Sequence, residues 1–325
     1  MKAIRIHQPG GPEALRLDEI PIPEPGAGEV LVRVAAAGVN YIDTYHRSGL
    51  YKVTLPYTLG QEGAGTVERG GGGPGVTGLA PGDRVTWASL PGACAEFAAL
   101  PADRLVKIPE GVSARDAAAA MLQGMTAHYL TKSTFALQPG HTCLVHAAAG
   151  GVGLMLVQIA ELCGARVIGT VGTEEKATLA RQAGADDVIV YTTQDVVKDV
   201  RRITNNRGVD VVYDGVGQAT WERSLDCLRP RGMLVLFGNA SGPVPPVDPL
   251  LLSGKGSLFL TRPTLVHHLA TRAELERRAG DVLEWVRAGL VKVRVHKEYP
   301  LAAAAQAHRD LESRATTGKL LLVPG

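Results

Sequence analysis

Apolar positions follow two different patterns along the chain. Up to about residue 110, short β-rich runs such as KAIRI and EVLVRVAAAGVN are separated by turns rich in proline and glycine, as in PIPEPGAGE. From about residue 113, nearly all-apolar runs alternate with segments of helical spacing, as in TCLVHA followed by GVGLMLVQIAELCGA. Such alternation is typical of a parallel sheet with helices on both faces. The pattern therefore predicts a β-rich unit followed by an α/β unit.

The pattern changes again past residue 264. A long amphipathic segment, HHLATRAELERRAGDVLEWVRAGL, precedes two short apolar runs, VKVRVH and KLLLV. This is too little material for an independent domain, so we expect the tail to return and pack with the N-terminal β domain. The predicted division is residues 1–123 for the first part of the β-rich unit, 124–264 for the α/β unit and 265–325 for the returning segment.

Composition and charge are those of an ordinary globular protein. The 325 residues are 45% hydrophobic and 20% charged, and 34 Lys and Arg face 32 Asp and Glu, so no nucleic-acid partner is expected. The N-terminus lacks the apolar core of a secretory signal, and no window reaches the apolar length of a membrane span, so we expect a cytoplasmic protein without a membrane partner. The four cysteines are widely spaced, which gives no support for a disulfide framework or a cysteine-based zinc site.

The stretch VHAAAGGVG, residues 145–153, lies between an apolar strand and an apolar helix, which is the setting of a dinucleotide-binding turn. There Gly150 lets the backbone approach a pyrophosphate and Gly153 lets the helix pack closely on the strand. The helix N–H groups would then face the phosphates. Ala148 stands where a first glycine is expected, which is tolerable only if the turn keeps a negative φ there. A glycine-rich packing turn of another α/β enzyme is the alternative.

The end of the second strand, RVIGTV, bears on the choice of cofactor. A site that prefers NAD usually carries an acid there for the ribose 2′-hydroxyl, but here Gly172 and Thr173 come first and Lys176 follows on the opening turn of the next helix. A 2′-phosphate needs a cation and hydroxyl or N–H donors, so Thr173 and Lys176 favour NADPH. Alternatively, Glu174 and Glu175 are ordinary first-turn acids and Lys176 is a solvated helix residue.

Several longer motifs occur in a characteristic order. They are AAGVNYIDTYHRSGLY, LGQEGAGTV, PGDRV, QGMTAHYL, VHAAAGGVG, VYDGVGQATWERSLDCL, FGNASG, LTRP and ESRATTGK. On these motifs the chain resembles, nearly end to end, the medium-chain dehydrogenase/reductase superfamily, specifically its zinc-free quinone oxidoreductases of the zeta-crystallin type. The resemblance implies an α/β fold in which a Rossmann-type doubly wound parallel sheet domain is inserted in a GroES-like β-rich catalytic domain. An alanine in the phosphate loop is usual in this family.

The zinc-dependent alcohol dehydrogenases of that superfamily hold their metal with a cysteine in the segment matching GVNYID and a G-H-E motif matching GQEG. Here those places hold Asn40 and Gln61, whose amides are poor zinc ligands. We therefore predict no catalytic zinc. Without a metal to stabilise an alkoxide, the favoured acceptor is a quinone or an electron-poor enone, which delocalises the incoming charge.

The resemblance also implies which side chains line the pocket that faces the nicotinamide. Asn40, Tyr45 and Tyr51 should lie there, with Arg262 of LTRP nearby, and a Tyr or Arg donor could polarise a quinone oxygen. Structural alternatives stay open: Asn40 could cap the helix that starts at Tyr41, and Tyr45 and Tyr51 could be packing residues with hydroxyls at the surface.

Cofactor contacts follow from the same resemblance. They are expected from Asn40, Gln123, Thr126, Gly150, Gly151, Val152, Gly153, Gly172, Thr173, Lys176, Tyr191, Phe237, Gly238, Asn239 and Arg314. Tyr191 is expected on the adenine side and residues 237–239 by the nicotinamide ribose. Arg314 is expected to reach a phosphate from the returning tail, its alternative being a place on a helix surface.

The predicted function is an NADPH-dependent, zinc-independent quinone oxidoreductase acting on a quinone or conjugated enone. One alternative is a medium-chain enoyl or alkenal reductase. Another is a non-catalytic NADPH-binding protein, crystallin-like or RNA-associated, although near-neutral charge and the lack of an aromatic-plus-basic array argue against RNA. A homodimer is expected, because α/β domains of this family commonly pair through edge strands and GSLFLTR is a suitable apolar edge.

Overall fold

Two units make up the chain in the computed structural model, which describes residues 1–72 and 78–325. The first unit comprises residues 1–125 and 269–325, and the second comprises residues 126–268. Across the described residues, no helix has both the length and the apolar character that crossing a membrane requires.

Strands and helices are numbered here in chain order. The strands are β1 (Lys2–Ile6), β2 (Arg16–Glu19), β3 (Glu29–Val39), β4 (Tyr57–Thr58), β5 (Glu62–Gly70), β6 (Arg84–Ala88), β7 (Phe97–Pro101), β8 (Val106–Lys107), β9 (Thr142–Val145), β10 (Arg166–Val171), β11 (Asp187–Val190), β12 (Val209–Asp214), β13 (Leu228–Leu236), β14 (Phe259–Thr261), β15 (Val295–Pro300) and β16 (Lys319–Val323). The helices are α1 (Tyr41–Ser48), α2 (Ala114–Tyr129), α3 (Gly151–Leu162), α4 (Glu174–Gln182), α5 (Val196–Ile203), α6 (Trp221–Cys227), α7 (Pro249–Gly254), α8 (Arg272–Arg287) and α9 (Ala304–Glu312).

The first unit is built on β-sheets. A larger sheet runs β15-β16-β3-β5-β6-β8, with β7 also paired to β3, and a smaller one runs β2-β1-β4. The last strand of the chain lies antiparallel to β3, with Leu320 opposite Val39 and Leu322 opposite Ala37. Residues 295–323 therefore belong to the same sheet as residues 29–107. The core of this unit surrounds Trp87, which is fully buried.

The second unit is a parallel sheet in the order β11-β10-β9-β12-β13-β14. The chain winds outward from β9 through β10 and β11, then restarts at β12 on the other side of β9. The strand order therefore reverses between β9 and β12, which is where open parallel sheets bind ligands at the carboxyl ends of their strands. Strand β9 reads TCLV and is buried throughout, as expected for a strand covered on both faces. The predicted Rossmann-type α/β fold class is confirmed.

Candidate active site and cofactor cradle

A bare helix N-terminus follows the first strand of the second unit. Strand β9 ends at Val145, residues 146–149 form a turn, and α3 begins at Gly151. The N-cap residue is Gly150, so no side chain caps the first N–H groups of α3, and no acidic residue stands in its first turn. Unsatisfied N–H groups and the positive end of the helix dipole together favour an anion. The turn therefore fits a pyrophosphate.

Close packing explains the last glycine of this turn. A Cβ added to Gly153 would lie 2.2 Å from the Ala147 carbonyl oxygen and 2.9 Å from the Ala148 Cα. Ala148 does not have a positive φ. Its backbone conformation therefore suits an alanine at the place where a first glycine was expected. The left-handed residue is instead its neighbour Ala147, with φ of 51°, which costs about 1 kcal/mol for an L-residue. The sequence did not identify that strained position.

The predicted 2′-phosphate residues share one turn after β10. Thr173 is the N-cap of α4, and its Oγ1 accepts the backbone N–H of Lys176 at 3.3 Å. The Thr173 hydroxyl also helps to lower the pKa of the Glu175 carboxyl, and burial lowers the pKa of the Lys176 ammonium. Tyr191 packs on Gly172, because a Cβ added there would lie 2.8 Å from the tyrosine Oη. The structure thus brings Gly172, Thr173, Lys176 and Tyr191 into one neighbourhood.

Substitution of Lys176 tests the 2′-phosphate assignment. Lys176→Ala removes the cation that a 2′-phosphate would use, so we expect the KM for NADPH to rise about 10-fold, with the KM for NADH changing less than about twofold. Steady-state kinetics with both cofactors measures this. Lys198→Ala, at an exposed lysine of α5, is the matched control and should change neither KM. Equal effects of Lys176→Ala on the two cofactors would contradict the assignment.

The loop after β13 carries the residues predicted near the nicotinamide ribose. It packs against the turn after β12: a Cβ on Gly238 would lie 2.3 Å from the Gly215 carbonyl oxygen, and a Cβ on Gly215 would lie 2.8 Å from the Phe237 ring. Neither glycine can carry a side chain without moving the other segment. The two loops at the carboxyl ends of β12 and β13 therefore hold each other's shape.

Arg262 lies just after β14 and binds this same loop. Its Nη1 donates to the Leu236 carbonyl oxygen at 3.1 Å. In the amide orientation that satisfies both groups, its Nη2 donates to Asn239 Oδ1 at 3.3 Å. The structure gives the Arg262 guanidinium a part in shaping residues 236–239, and its place near the acceptor stays a prediction.

Under the loops of the second unit lies a buried polar chain that sequence reasoning missed. Asp214 Oδ1 accepts the N–H groups of residues 216–217, and its Oδ2 accepts the hydroxyl of Ser224 at 2.9 Å. Ser224 Oγ lies 2.9 Å from both the Asp214 carboxylate and the Thr220 carbonyl oxygen, so we assign its proton to one of these acceptors. In that case His146 Nε2 donates to Ser224 at 3.0 Å and Nδ1 accepts from Thr170 at 2.9 Å. Burial lowers the pKa of His146, which suits this neutral tautomer. The chain ties together β9, β10, β12 and α6.

In the first unit, Asn40 is the N-cap residue of α1, and the Asp43 carboxylate accepts its backbone N–H at 2.8 Å. The side-chain amide is engaged elsewhere. Its Nδ2 donates to Glu62 Oε2 at 2.9 Å, and its Oδ1 accepts from Lys319 Nζ at 2.7 Å. Gln123 Nε2 lies 3.5 Å from the same oxygen. Two predicted residues, Asn40 and Gln123, are therefore brought together with an ion pair that was not predicted.

The first unit also contains a cluster of aromatic rings. The ring centroids of Tyr45 and Tyr51 are 5.2 Å apart, edge to face, and His46 lies 6.1 Å from Tyr51 and 5.5 Å from Tyr57. The Gln61 amide donates to Tyr57 Oη at 2.6 Å. Burial, together with the charge of Asp43, raises the pKa of Tyr57 to about 12. Tyr45 and Tyr51 thus share one aromatic cluster with Tyr57, which was not foreseen.

Thr126 and Arg314 were also predicted to contact the cofactor. Thr126 is buried on α2. Arg314 lies just after α9 with φ of 60°, and its charge partly offsets the burial that raises the pKa of Tyr41. The signals that could have found Glu62 and Lys319 are charges in apolar surroundings: an acid within GQEGAGTV and a lysine directly before LLLV.

The buried acid Asp43 yields a pH-dependent prediction. Its burial raises the pKa from 3.8 to about 7, so the folded state keeps a proton that the unfolded chain releases above about pH 4. Stability from this group is therefore present below pH 4 and is lost as the pH rises to 7. Asp43→Asn should gain stability over the wild type, by on the order of 2 kcal/mol more at pH 8 than at pH 5. Thermal unfolding at both values measures it.

An exposed acid supplies the control for that experiment. Asp103→Asn changes a solvated carboxylate of the same unit and should shift the unfolding temperature equally at both pH values. If the gain from Asp43→Asn were the same at pH 5 and pH 8, Asp43 would not be protonated in the folded state.

The donors at these positions do not fit a zinc ion. The Asn40 oxygen faces the Lys319 ammonium, a cation that would repel a metal, and the Gln61 amide is bonded to Tyr57. Over residues 1–72 and 78–325, no group of three or more His, Cys, Asp or Glu side chains is placed to hold a metal. Zinc prefers thiolate, imidazole and carboxylate ligands, which this cluster does not offer together.

Two family models match the chain. Residues 26–110 match the alcohol dehydrogenase GroES-like domain, and residues 151–284 match the zinc-binding dehydrogenase model. The second name implies a metal that the donor set just described does not fit.

Similar proteins match nearly end to end. A quinone oxidoreductase of Pseudomonas aeruginosa is 47% identical over 325 residues, covering 99% of each chain. A 2-haloacrylate reductase of a Burkholderia species is 43% identical over 327 residues, covering 98% of each. Among solved structures, a quinone oxidoreductase of Escherichia coli complexed with NADPH is 45% identical, covers 100% of both chains and has a TM-score of 0.97.

Proposed function

From the premise that the chain belongs to the zinc-free quinone oxidoreductases of the medium-chain dehydrogenase/reductase superfamily, we propose that it is an enzyme that reduces quinones with NADPH. The observation that carries this function is the end-to-end match to quinone oxidoreductases. The bare N-terminus of α3 supports it independently, because that turn offers an anion site where the strand order of the parallel sheet reverses.

We assign NADPH to the loops of the second unit, here called the cradle, which comprise residues 146–153, 172–176, 214–217 and 236–239. The N–H groups of residues 151–153 would bind the pyrophosphate, Lys176 and Thr173 the 2′-phosphate, and Tyr191 the adenine side. When bound, NADPH supplies a hydride. The Asp214 chain and the paired loops after β12 and β13 keep the nicotinamide end of the cradle in one shape.

The first unit is proposed to supply the groups for the acceptor. A quinone that takes up a hydride also needs one proton and hydrogen bonds to its oxygens as negative charge develops. Tyr45 and Tyr51 offer aromatic faces and hydroxyls. Asn40, whose amide hydrogens go to Glu62 and Gly38, would line the same site with a fixed amide. Because conjugation spreads the incoming charge across the quinone, hydrogen bonds and solvent protons suffice without a Lewis acid.

A conjugated enone or acrylate is a second candidate acceptor. The 2-haloacrylate reductase relative favours it, since its name describes reduction of an activated double bond. Such an acceptor delocalises hydride charge onto a carbonyl or carboxyl group, so the same donors would serve it.

A substrate panel tests the function. Purified protein is assayed for NADPH oxidation with 1,4-naphthoquinone, 9,10-phenanthrenequinone, an alkenal and 2-chloroacrylate, each also with NADH. We expect turnover of at least one quinone, with NADPH preferred. Turnover of enones alone would assign the chain to the reductase alternative, and NADPH binding without turnover of any acceptor would leave only the non-catalytic binding role.

We also propose a homodimer formed through β14. This strand ends the parallel sheet, and Phe259 on it is 56% exposed. An apolar sheet edge of this kind is suited to pair with a second copy. Light scattering at micromolar concentration should give twice the chain mass of 34.2 kDa, and the monomer mass alone would contradict the proposal. The cytoplasmic location stays a prediction.

A further inference from the structure

A fully buried ion pair lies next to Asn40 in the first unit. Lys319, at the start of β16, contacts Glu62, at the start of β5, and their side chains are 1% and 0% exposed. Gly38 makes room for the pair: a Cβ there would lie 2.3 Å from Glu62 Oε2 and 2.6 Å from Lys319 Cε. The second carboxylate oxygen of Glu62 accepts the backbone N–H of Leu122 on α2. Both charges are therefore held by strands and a helix of one unit.

This pair dictates which way the Asn40 amide points. An ammonium has only donors and a carboxylate only acceptors, so Lys319 must face the amide oxygen and Glu62 must face the amide nitrogen. The observed contacts have this polarity, at 2.7 Å and 2.9 Å. The other amide hydrogen goes to the Gly38 carbonyl oxygen at 3.3 Å. If the amide were rotated by 180°, its NH2 group would face the Lys319 ammonium and its oxygen would face the Glu62 carboxylate.

We propose that Lys319 and Glu62 are positioning residues that lock the Asn40 amide in one orientation for the acceptor reaction. This inference rests on the proposed function, which places Asn40 at the acceptor. The lock extends to Gln123, whose Nε2 faces the same Asn40 oxygen at 3.5 Å and whose own amide oxygen is thereby turned away from it. The ion pair thus sets the polarity of two amides that the family resemblance places at the site.

Stability alone does not account for the pair. Taking two charges out of water costs several kcal/mol per ion, and buried pairs can often be replaced by neutral side chains without loss of stability. A neutral pair of similar size would pack beside Asn40 but would leave only the longer contacts with Gly38 and Gln123 to distinguish the two amide orientations. Orientation is therefore what the charges add.

Three variants separate orientation from stability. Lys319→Met and Glu62→Gln each leave one charge buried without its partner, so each should lower the Tm and reduce kcat with 1,4-naphthoquinone. The double variant removes both charges together and should regain most of the lost Tm, while kcat stays about 100-fold below the wild type. Lys319→Arg keeps a cationic donor and should retain most of kcat. A double variant with kcat within threefold of the wild type would overturn the proposal.

A control pair shows what loss of another buried charge does. Asp210 on β12 is 1% exposed and bonds Arg229, at the ends of the strands opposite to the cofactor loops. Arg229→Met combined with Asp210→Asn should change Tm without changing kcat more than about threefold. A 100-fold loss of kcat in this control as well would mean that the Lys319 and Glu62 result reports general damage, and the proposal would fall.

A measurement on the wild-type protein reads the amide directly. The side-chain amide of Asn40 should give one pair of ¹⁵N–¹H₂ resonances whose hydrogens exchange slowly with solvent, assigned with selective asparagine labelling by their loss in Asn40→Ala. Fast exchange or doubled resonances would overturn the lock. If the Asn40 amide hydrogens exchanged slowly but the wild type turned over no quinone, the proposed function would be refuted. The fixed orientation of the amide would still be supported.

Discussion

Gly153→Ala is expected to weaken NADPH binding about 100-fold and to destabilise the protein by about 3 kcal/mol. The added Cβ would lie 2.2 Å from the Ala147 carbonyl oxygen, a backbone atom that cannot rotate away as a side chain could. Helix α3 must therefore shift off β9, which costs about 1–3 kcal/mol as overpacking does elsewhere. The shift also moves the N–H groups away from the phosphates, and losing charge-assisted hydrogen bonds of about 1.5–3 kcal/mol each gives the loss of affinity.

Gly280→Ala is the matched control for that substitution. Gly280 lies inside α8, and a Cβ added there meets no atom within 4 Å. Alanine at this helical position should raise stability by up to about 1 kcal/mol and leave NADPH binding unchanged. Titration calorimetry with NADPH and urea unfolding measure both effects. Wild-type affinity in Gly153→Ala would show that the turn before α3 does not hold the pyrophosphate.

Asp214→Ala is the second substitution with a large expected effect. The carboxylate is fully buried and accepts from two backbone N–H groups and from the hydroxyls of Thr220 and Ser224. Alanine leaves the two backbone N–H groups without an acceptor, and the two hydroxyls keep only the carbonyl oxygens of residues 217 and 220. We therefore expect a loss of about 3–5 kcal/mol in stability. The turn that contacts Phe237 would also lose its shape, so the Kd for NADPH should rise about 10-fold or more.

Asp199→Ala is the control for Asp214. Asp199 lies on α5 and forms an i,i+3 ion pair with Arg202, which is mostly exposed. Such pairs contribute little, so stability should change by less than about 0.5–1 kcal/mol. Urea unfolding and NADPH fluorescence titration compare the two variants. If Asp214→Ala cost no more than Asp199→Ala, the polar chain from Asp214 to His146 would not be what shapes the cradle.

The phosphate turn and the parallel sheet could be predicted because their signals are local. The apolar run TCLVHA, the glycines of residues 150–153 and the apolar helix that follows lie within about twenty residues of one another. Each of those residues acts on its own neighbours, through backbone conformation and strand-to-helix packing. The fold class, which is confirmed, and the NADPH prediction, which agrees with the NADPH complex of the Escherichia coli relative, follow from such short-range patterns together with the family motifs.

The ion pair beside Asn40 could not be predicted in the same way. Lys319 and Glu62 are 257 positions apart, and nothing in either local stretch says that two charges meet in the core. The same holds for His146 and Ser224, which are 78 positions apart. Burial makes such contacts strong, and burial is a property of the folded chain. In the sequence, the only sign of such a contact is a charged residue next to apolar residues.

Ala147 illustrates a smaller limit. The dinucleotide-binding fingerprint expects a glycine at position 148, so a positive φ was considered for Ala148. The structure has the positive φ one residue earlier, at Ala147. The fingerprint fixes the spacing of the glycines but not the φ of each turn residue. The strain is compatible with an alanine because its cost is only about 1 kcal/mol.

Metal-depleted protein is expected to reduce a quinone as fast as untreated protein. The purified chain is dialysed against a strong zinc chelator, its zinc content is measured, and NADPH oxidation by 1,4-naphthoquinone is followed with and without added Zn²⁺. We expect full activity at substoichiometric zinc, no stimulation by added metal, and a lower KM for NADPH than for NADH. Activity that disappears with the metal and returns when zinc is restored would show that the reaction depends on zinc.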